Sequence, residues 1–191
     1  QLKNPALGYA GDFLTQLQTC LPLIVQKKVK VITNAGGINP VGLGREIVKL
    51  AQKMGFDLKV GVVYGDDVSQ RLYELTAAGE KFTNMETGEK FAGVMHRVTS
   101  ANVYLGAEPV VAALRAGCEI IVTGRVTDTG ITLAPMIHEF GWDMEDWDKM
   151  DEIFCVNCSM WNKRGHLTDC IAEHNRLFEN SWRGQTDKAK V

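Results

Sequence analysis

The sequence predicts an α/β fold, with an open, mostly parallel sheet that carries helices on both faces. Short β-branched segments alternate with amphipathic helical segments along the chain, as they do in parallel sheets. Glycine and polar residues collect directly after the apolar segments, where open α/β sheets place their ligands. Residues 100–142 show both features most clearly, because they read as a polar loop, a helix, a buried strand, a second polar loop and another helix.

Two helices and a strand are predicted at the start of the chain. Apolar residues at helical spacing predict a helix from Gly11 to Lys28, and a β-branched strand follows from Val29 to Thr33. Asn39 is a good N-cap and Pro40 suits the first helical position, so a second helix begins there. Gly55 ends that helix.

A second strand is predicted from Leu58 to Tyr64, because this segment is nearly all apolar, as in strands that are covered on both faces. The pattern from Val68 to Ala78 predicts a helix. Within Phe82 to Phe91, the dipeptide Thr87-Gly88 predicts a hairpin turn.

A third strand is predicted from Cys118 to Thr123, between two helices. Pro109 opens the helix that precedes this strand. Thr127 or Thr129 caps the helix that follows it, which we expect to end near Phe140.

The domain organisation is predicted from the pattern of elements and from a change in composition. Three strands are few for such a sheet, so we expect it to be incomplete at the N-terminus, and the chain to be a fragment or a processed product. Residues 7–150 form the predicted α/β domain. Residues 151–191 are richer in Cys, Asn and charge, with poor apolar periodicity, and are predicted to be an extension of unknown structure.

Composition excludes several classes of partner. The net charge is -2, so the chain lacks the basic field that nucleic acid or an anionic membrane surface would require. No apolar run approaches the roughly 20 residues of a membrane helix. Five cysteines without a secretory signal indicate reduced thiols and a cytoplasmic location, or a mitochondrial one in a eukaryote. We expect the chain to bind a small-molecule metabolite. A homo-oligomer is compatible with the sequence.

The turn Asn34-Ala-Gly-Gly lies between a predicted strand and a predicted helix. Gly36 and Gly37 would let the backbone approach a ligand, and the following helix would offer N–H groups to an anion. The spacing of the glycines is not that of a dinucleotide fingerprint. An anion site that includes Asn34 and a plain tight turn are equally good interpretations.

Asp66 and Asp67 place two carboxylates at the end of the second strand. Adjacent carboxylates can bind a divalent metal or sugar hydroxyls, and one of them can act as a base. Asp67 precedes a helical pattern and is better explained as a cap, so Asp66 is the functional candidate.

The segment Thr123-Gly-Arg-Val-Thr-Asp gives the sharpest local signal. An arginine just past a buried strand can bind a carboxylate or phosphate through two parallel hydrogen bonds, and Gly124 keeps the approach to Arg125 open. Asp128 is a second acid–base candidate, but it also lies within reach of Arg125. A structural ion pair between these two residues is the alternative, and the functional interpretation is slightly favoured.

The loop that leads into the helix before the third strand carries polar side chains on both sides of Gly106, namely Asn102, Tyr104 and Glu108. Their amide, phenol and carboxylate groups are suited to orienting a polar ligand. Glu108 could instead serve only the dipole of the helix that begins beside it.

The C-terminal extension carries a set of potential zinc ligands, Cys155, Cys158, His166 and Cys170. Their spacing does not match a zinc knuckle, so chance clustering is favoured and no metal site is assigned. The sequence identifies no cofactor.

Five segments taken together resemble a known family: NAGGINPVGLGREI, VVYGDDV, SANVYLGAEPVVAAL, IIVTGRVTD and LAPMIHEFGWDMEDWD. They are similar, in order, to the N-terminal domain of the acyclic terpene utilisation (AtuA-like) family over residues 7–150. The family name comes from a bacterial pathway that degrades citronellol and geraniol as coenzyme A thioesters. The N-terminal strand units of the family are absent here, and residues 151–191 do not resemble its continuation.

The resemblance implies a catabolic protein that binds, and acts on, a small acyl or carboxylate metabolite, with a CoA thioester as one candidate. Arg125 would anchor the anion and Asp66 or Asp128 would serve as acid or base. The alternative is a non-catalytic binding or interaction protein with a zinc-stabilised tail, or an inactive fragment.

Overall fold

The computed structural model describes residues 8–146, which form a parallel three-stranded sheet between two layers of helices. The α/β class is confirmed. The elements in chain order are α1 (Gly11–Lys27), β1 (Val31–Thr33), α2 (Pro40–Lys53), β2 (Val60–Val63), α3 (Leu72–Ala77), α4 (Glu108–Arg115), β3 (Ile120–Thr123) and α5 (Asp128–Phe140).

Strand β3 is the centre of the sheet. It pairs in parallel with β1, where Val31 lies opposite Ile120, and with β2, where Val60 lies opposite the same residue. All four β3 side chains are fully buried. A central strand with helices on both sides has no polar face, which explains the unbroken apolar run in the sequence.

Alternate β3 residues serve two separate cores, because successive side chains point to opposite faces of a sheet. Ile120 and Val122 pack with α1 and α2, in a cluster that includes Leu21, Leu43 and Ile47. On the other face Ile121 packs with α4 and α5, in a cluster that includes Val110, Val111, Leu114, Ala134 and Ile137.

The order of the strands, β1-β3-β2, places a topological switch point between β1 and β3. The β1–α2–β2 connection passes over β3, and the β2–α4–β3 connection returns in the opposite direction. Right-handed crossovers of opposite direction place their helices on opposite faces. Helix α2, which follows β1, packs on one face of the sheet. Helix α5, which follows β3, packs beside α4 on the other face, so the chain leaves β1 and β3 toward opposite faces. Open α/β sheets bind ligands at such a switch point.

Two helices begin at the side-chain caps that the sequence predicted. The Asn39 side-chain oxygen accepts a hydrogen bond from the Gly42 N–H at 2.9 Å. Thr127 Oγ1 accepts one from the Gly130 N–H at 3.2 Å, so Thr127, and not Thr129, caps α5. No helix within residues 8–146 is long and apolar enough to cross a membrane.

Several predicted elements are shorter than expected. The first strand begins at Val31 and not at Val29, because the Val29 N–H still bonds the Ile24 carbonyl at the end of α1. The second and third strands also start later, at Val60 and Ile120.

Between β2 and α4, one predicted helix is present with a different start and one predicted hairpin was wrong. The helix expected from Val68 begins as a 3₁₀ turn at Ser69–Arg71 and becomes α-helical only from Leu72. The hairpin is absent from this described segment. The Asn84 side-chain oxygen instead accepts the N–H groups of Glu86 and Thr87, at 2.8 and 2.9 Å, and holds an isolated turn.

Residues 69–100 form a lobe that is closed at its neck. The Val68 N–H bonds the Ala101 carbonyl at 2.8 Å, and the Ala101 N–H bonds Ser69 Oγ at 2.9 Å. Within the lobe only Leu72 is buried. The lobe is therefore attached to the carboxyl edge of the sheet mainly through its two ends.

Truncation of a β3 side chain tests the arrangement of the two cores. Ile121→Ala should lower the free energy of unfolding by about 2–5 kcal/mol, because it leaves a cavity between β3, α4 and α5. Val29→Ala is the control: Val29 is 49% exposed, and its loss should cost about 0.5 kcal/mol or less. Urea denaturation measures both. Equal losses would contradict the central place of β3.

Candidate functional site

Four loops meet at the carboxyl edge of the sheet. Two of them follow β1 and β3, one follows β2, and the fourth leads into α4. Short backbone contacts join them: the Val103 N–H bonds the Asp66 carbonyl at 2.8 Å, and the Leu105 N–H bonds the Arg125 carbonyl at 3.1 Å. Candidate residues that are far apart in the sequence are thereby brought to one edge.

The carboxylate of Asp66 ties three of these loops together. Asp66 is 3% exposed, and its Oδ2 atom accepts hydrogen bonds from the Arg125 backbone N–H at 2.9 Å and from Asn102 Nδ2 at 3.0 Å. Hydrogen bonds to a carboxylate are stronger than those between neutral groups. Asp66 therefore holds the backbone of the arginine loop and the side chain of Asn102 in place.

Gly124 is required by this arrangement. A Cβ atom at this position would collide with both carboxylate oxygens of Asp66. The sequence indicated that Gly124 keeps a ligand approach open, whereas the structure shows that the same gap admits the Asp66 carboxylate.

Arg125 does not form the structural ion pair with Asp128 that was the alternative to a functional role. Within residues 8–146 the ion pairs are Lys49–Glu46, Arg71–Glu74 and His138–Glu139, the last only when the histidine is protonated. The Arg125–Asp128 alternative is therefore wrong. The Arg125 guanidinium instead lies over the ring of Tyr104, 6.0 Å from its centroid. Arg125 is exposed, so its donors face solvent at the strand end.

The turn Asn34–Gly37 faces Arg125 across the switch point. The Gly37 N–H bonds the Asn34 carbonyl at 3.2 Å, and Gly37 has a left-handed backbone with φ +54°. A Cβ atom on Gly36 would lie 2.5 Å from the Thr123 carbonyl oxygen at the end of β3. The residues form a tight turn, the glycines bring this loop against the end of the central strand, and the anion-site interpretation stays a prediction.

The remaining acidic candidates occupy helix starts. Asp128 and Glu108 are the exposed first residues of α5 and α4, where a negative charge favours the helix dipole. Asp67 was predicted to cap a helix, but the 3₁₀ turn begins after Val68 without a side-chain cap; Asp67 Oδ1 instead accepts the Ser69 N–H, two residues on, at 2.8 Å and holds a turn.

No metal site is formed by the described residues, since residues 8–146 contain no group of three or more His, Cys, Asp or Glu side chains close enough to hold an ion. The zinc candidates of the C-terminal extension lie outside the described residues. In the lobe, away from this edge, the hydrogen bond and charge of Arg71 lower the pKa of exposed Glu74.

An exposed apolar rim surrounds the edge and was missed by the sequence reasoning. Ile38, Tyr64, Val103 and Tyr104 are 51%, 70%, 44% and 63% exposed. Tyr64 was assigned to the end of the second strand, but the strand ends at Val63. A large apolar residue directly after a strand was the one signal that could have identified this rim.

Two surface pockets lie away from the edge. One, of about 270 Å³, is lined by Leu14, Glu46 and neighbouring residues of α1 and α2. The other, of about 350 Å³, lies in the lobe beside Phe82 and Phe91. Neither contains residues from the strand ends. We therefore place the candidate site at the switch point, where polar, cationic and glycine residues converge.

Comparison with known proteins identifies a family for this chain. The family model described as "Acyclic terpene utilisation family protein AtuA" matches residues 1–172, and this confirms the resemblance seen in the motifs. The resemblance was expected to end at residue 150, and this was wrong, because the match also covers residues 151–172; the domain boundary predicted there stays a prediction. No curated protein and no solved structure matches the chain.

Removal of the Asp66 carboxylate should loosen the edge. Asp66→Ala leaves the Arg125 N–H and the Asn102 amide without their acceptor, and should lower the free energy of unfolding by about 1–3 kcal/mol. Asp67→Ala is the control, because exposed Asp67 holds a single surface turn, and should cost roughly 0.5 kcal/mol. Denaturant titration measures the free energy of unfolding of both variants. A larger loss for Asp67→Ala would contradict the role given to Asp66.

Proposed function

Because this chain belongs to the acyclic terpene utilisation family AtuA, we propose that it binds a small acyl or carboxylate metabolite of branched acyl catabolism. A CoA thioester is one member of this ligand class. The proposed site is the crevice at the switch point between β1 and β3. Membership in the family assigns the chain to acyclic terpene utilisation, and the geometry of the edge supports the finer proposal.

The free guanidinium of Arg125 is the observation that carries this proposal. Its backbone is held by buried Asp66, and its side chain lies over Tyr104 without a carboxylate partner among the described residues. Guanidinium groups bind carboxylates and phosphates through paired, charge-assisted hydrogen bonds. A cation that is positioned at a strand end, and not paired with a carboxylate of residues 8–146, is suited to an anionic ligand.

The glycine turn supplies the second half of the site. Gly36 lies against the end of β3, and the turn leads directly into α2, a helix of 14 residues. The Ala35 and Gly37 N–H groups already bond Thr33 Oγ1 and the Asn34 carbonyl, and Pro40 has no N–H, so the turn offers a ligand the close approach of its backbone more than a set of donors. We propose that Asn34, Gly36 and Gly37 contact the ligand from one side while Arg125 anchors it from the other.

The two aspartates receive different roles in this proposal. Asp66 is buried and its carboxylate is used by two donors, so we assign it to positioning Arg125 and Asn102. Asp128 is exposed at the start of α5, so a proton transfer would fall to it. Tyr104 and Glu108 lie at the mouth of the site and would orient the ligand.

A non-catalytic binding role is the second candidate. The engagement of Asp66 favours it, because the buried carboxylate at this edge is occupied in holding the loops and not directed at a reacting group. Turnover of a bound ligand that is lost in Asp128→Asn, with binding retained, would decide in favour of an enzyme.

Substitution of Arg125 tests the anchor. A branched acyl-CoA and its free acid should raise the midpoint of thermal unfolding by mass action. Arg125→Ala should weaken binding about tenfold or more, because one charge-assisted contact contributes roughly 1.5–3 kcal/mol. Arg115→Ala is the matched control, since this exposed arginine ends α4 at the opposite edge of the sheet. Unchanged ligand shifts in Arg125→Ala, or its failure to fold, would contradict the proposal.

A further inference from the structure

Two exposed tyrosines flank the proposed anion anchor. Tyr64 is 70% exposed and Tyr104 is 63% exposed, although tyrosine rings usually bury much of their apolar surface. Both lie on loops that converge at the carboxyl edge, because the Val103 N–H bonds the Asp66 carbonyl at 2.8 Å. The edge therefore presents flat aromatic surface beside a polar crevice.

Arg125 connects this aromatic surface to the anchor. Its guanidinium covers one side of Tyr104 at 6.0 Å, while Tyr64 makes no aromatic or cation–π contact with the described residues. A ligand whose anion is bound by Arg125 would hold its neighbouring atoms within the same rim.

Exposure alone does not distinguish these two rings. Tyr73, on α3 in the lobe, is 74% exposed, but no cation lies over its ring among the described contacts. Tyr64 and Tyr104 differ from Tyr73 in position, because they lie on the loops after β2 and before α4, which hydrogen bonds join to the arginine loop. Tyr73 therefore provides a matched control.

We infer that this site takes an anion that carries a planar aromatic or heteroaromatic ring, with the ring stacked on Tyr64 or Tyr104 and the anionic group bound by Arg125. A nucleotide portion and an aromatic carboxylate share this chemistry. The inference rests on the proposed function, because both use the Arg125 anchor. It narrows the ligand class of the proposed function, small acyl or carboxylate metabolites, to those that also carry such a ring.

The contribution of the ring can be measured with paired probes that differ in whether they carry one. Calorimetry on the full chain would compare ADP with inorganic pyrophosphate, and benzoate with acetate. Stacking of one ring on an aromatic side chain should raise affinity about tenfold. The double variant Tyr64→Ala/Tyr104→Ala should abolish this advantage, so that ADP then binds no more tightly than pyrophosphate. Tyr64→Phe/Tyr104→Phe, which keeps both rings, and Tyr73→Ala should retain it.

The outcomes separate this inference from the proposal beneath it. A ring advantage for ADP identifies a nucleotide portion, and one for benzoate alone identifies an aromatic acid; both support the inference. Equal affinity for ringed and ringless probes, with binding lost in Arg125→Ala, overturns the inference and leaves the anchor standing. If no probe, acyl-CoA included, binds in a way that depends on Arg125, the inference and the proposed function are both overturned. A change in sedimentation of the double variant, with unchanged affinities, would make the rim an interface between copies and also overturn it.

Discussion

The buried carboxylate of Asp66 is the constraint on which the carboxyl edge depends. It accepts the backbone N–H of Arg125 and the side-chain amide of Asn102, while the carbonyl of the same residue pairs with Val103. Three loops with no regular pairing of their own are joined by one residue. A buried carboxylate is costly unless it is hydrogen-bonded, so these contacts stabilise each other and hold the edge in a single arrangement.

The glycines at the edge follow from the same constraint. Gly124 leaves room for the Asp66 carboxylate, and Gly36 leaves room for the Thr123 carbonyl at the end of β3. Both contacts lie beside the switch point that the strand order creates between β1 and β3. The topology thus sets the switch point, the glycines let the neighbouring loops pack closely against the end of β3, and Asp66 holds the backbone of Arg125.

Local patterns in the sequence predicted much of the fold. Asn39 and Thr127 were recognisable as caps because each acts on an N–H group three residues away. The apolar run of β3 identified a strand covered on both faces. The hairpin prediction failed because the Asn84 side chain bonds the following backbone and holds an isolated turn.

The site was only partly predictable, for a reason of distance along the chain. Asp66 lies 36 residues from Asn102 and 59 from Arg125, so no local pattern could reveal that its carboxylate binds both. Asp128, three residues from Arg125, looked like its partner, but the helix start directs it elsewhere. The candidate residues were nevertheless identified by type, since glycine, arginine and carboxylate after strands mark the ligand edge of such sheets.

An NMR titration of the full chain with a branched acyl-CoA, followed at each assigned backbone amide, would test the location of the site most directly. The account predicts the largest amide shifts at Gly36, Gly37, Gly124 and Arg125, around the switch point. The amides of Lys59 and Gly117, at the opposite edge of the sheet, should stay nearly unchanged. Largest shifts at that opposite edge, in the α1–α2 groove or in the pocket of the lobe would contradict it.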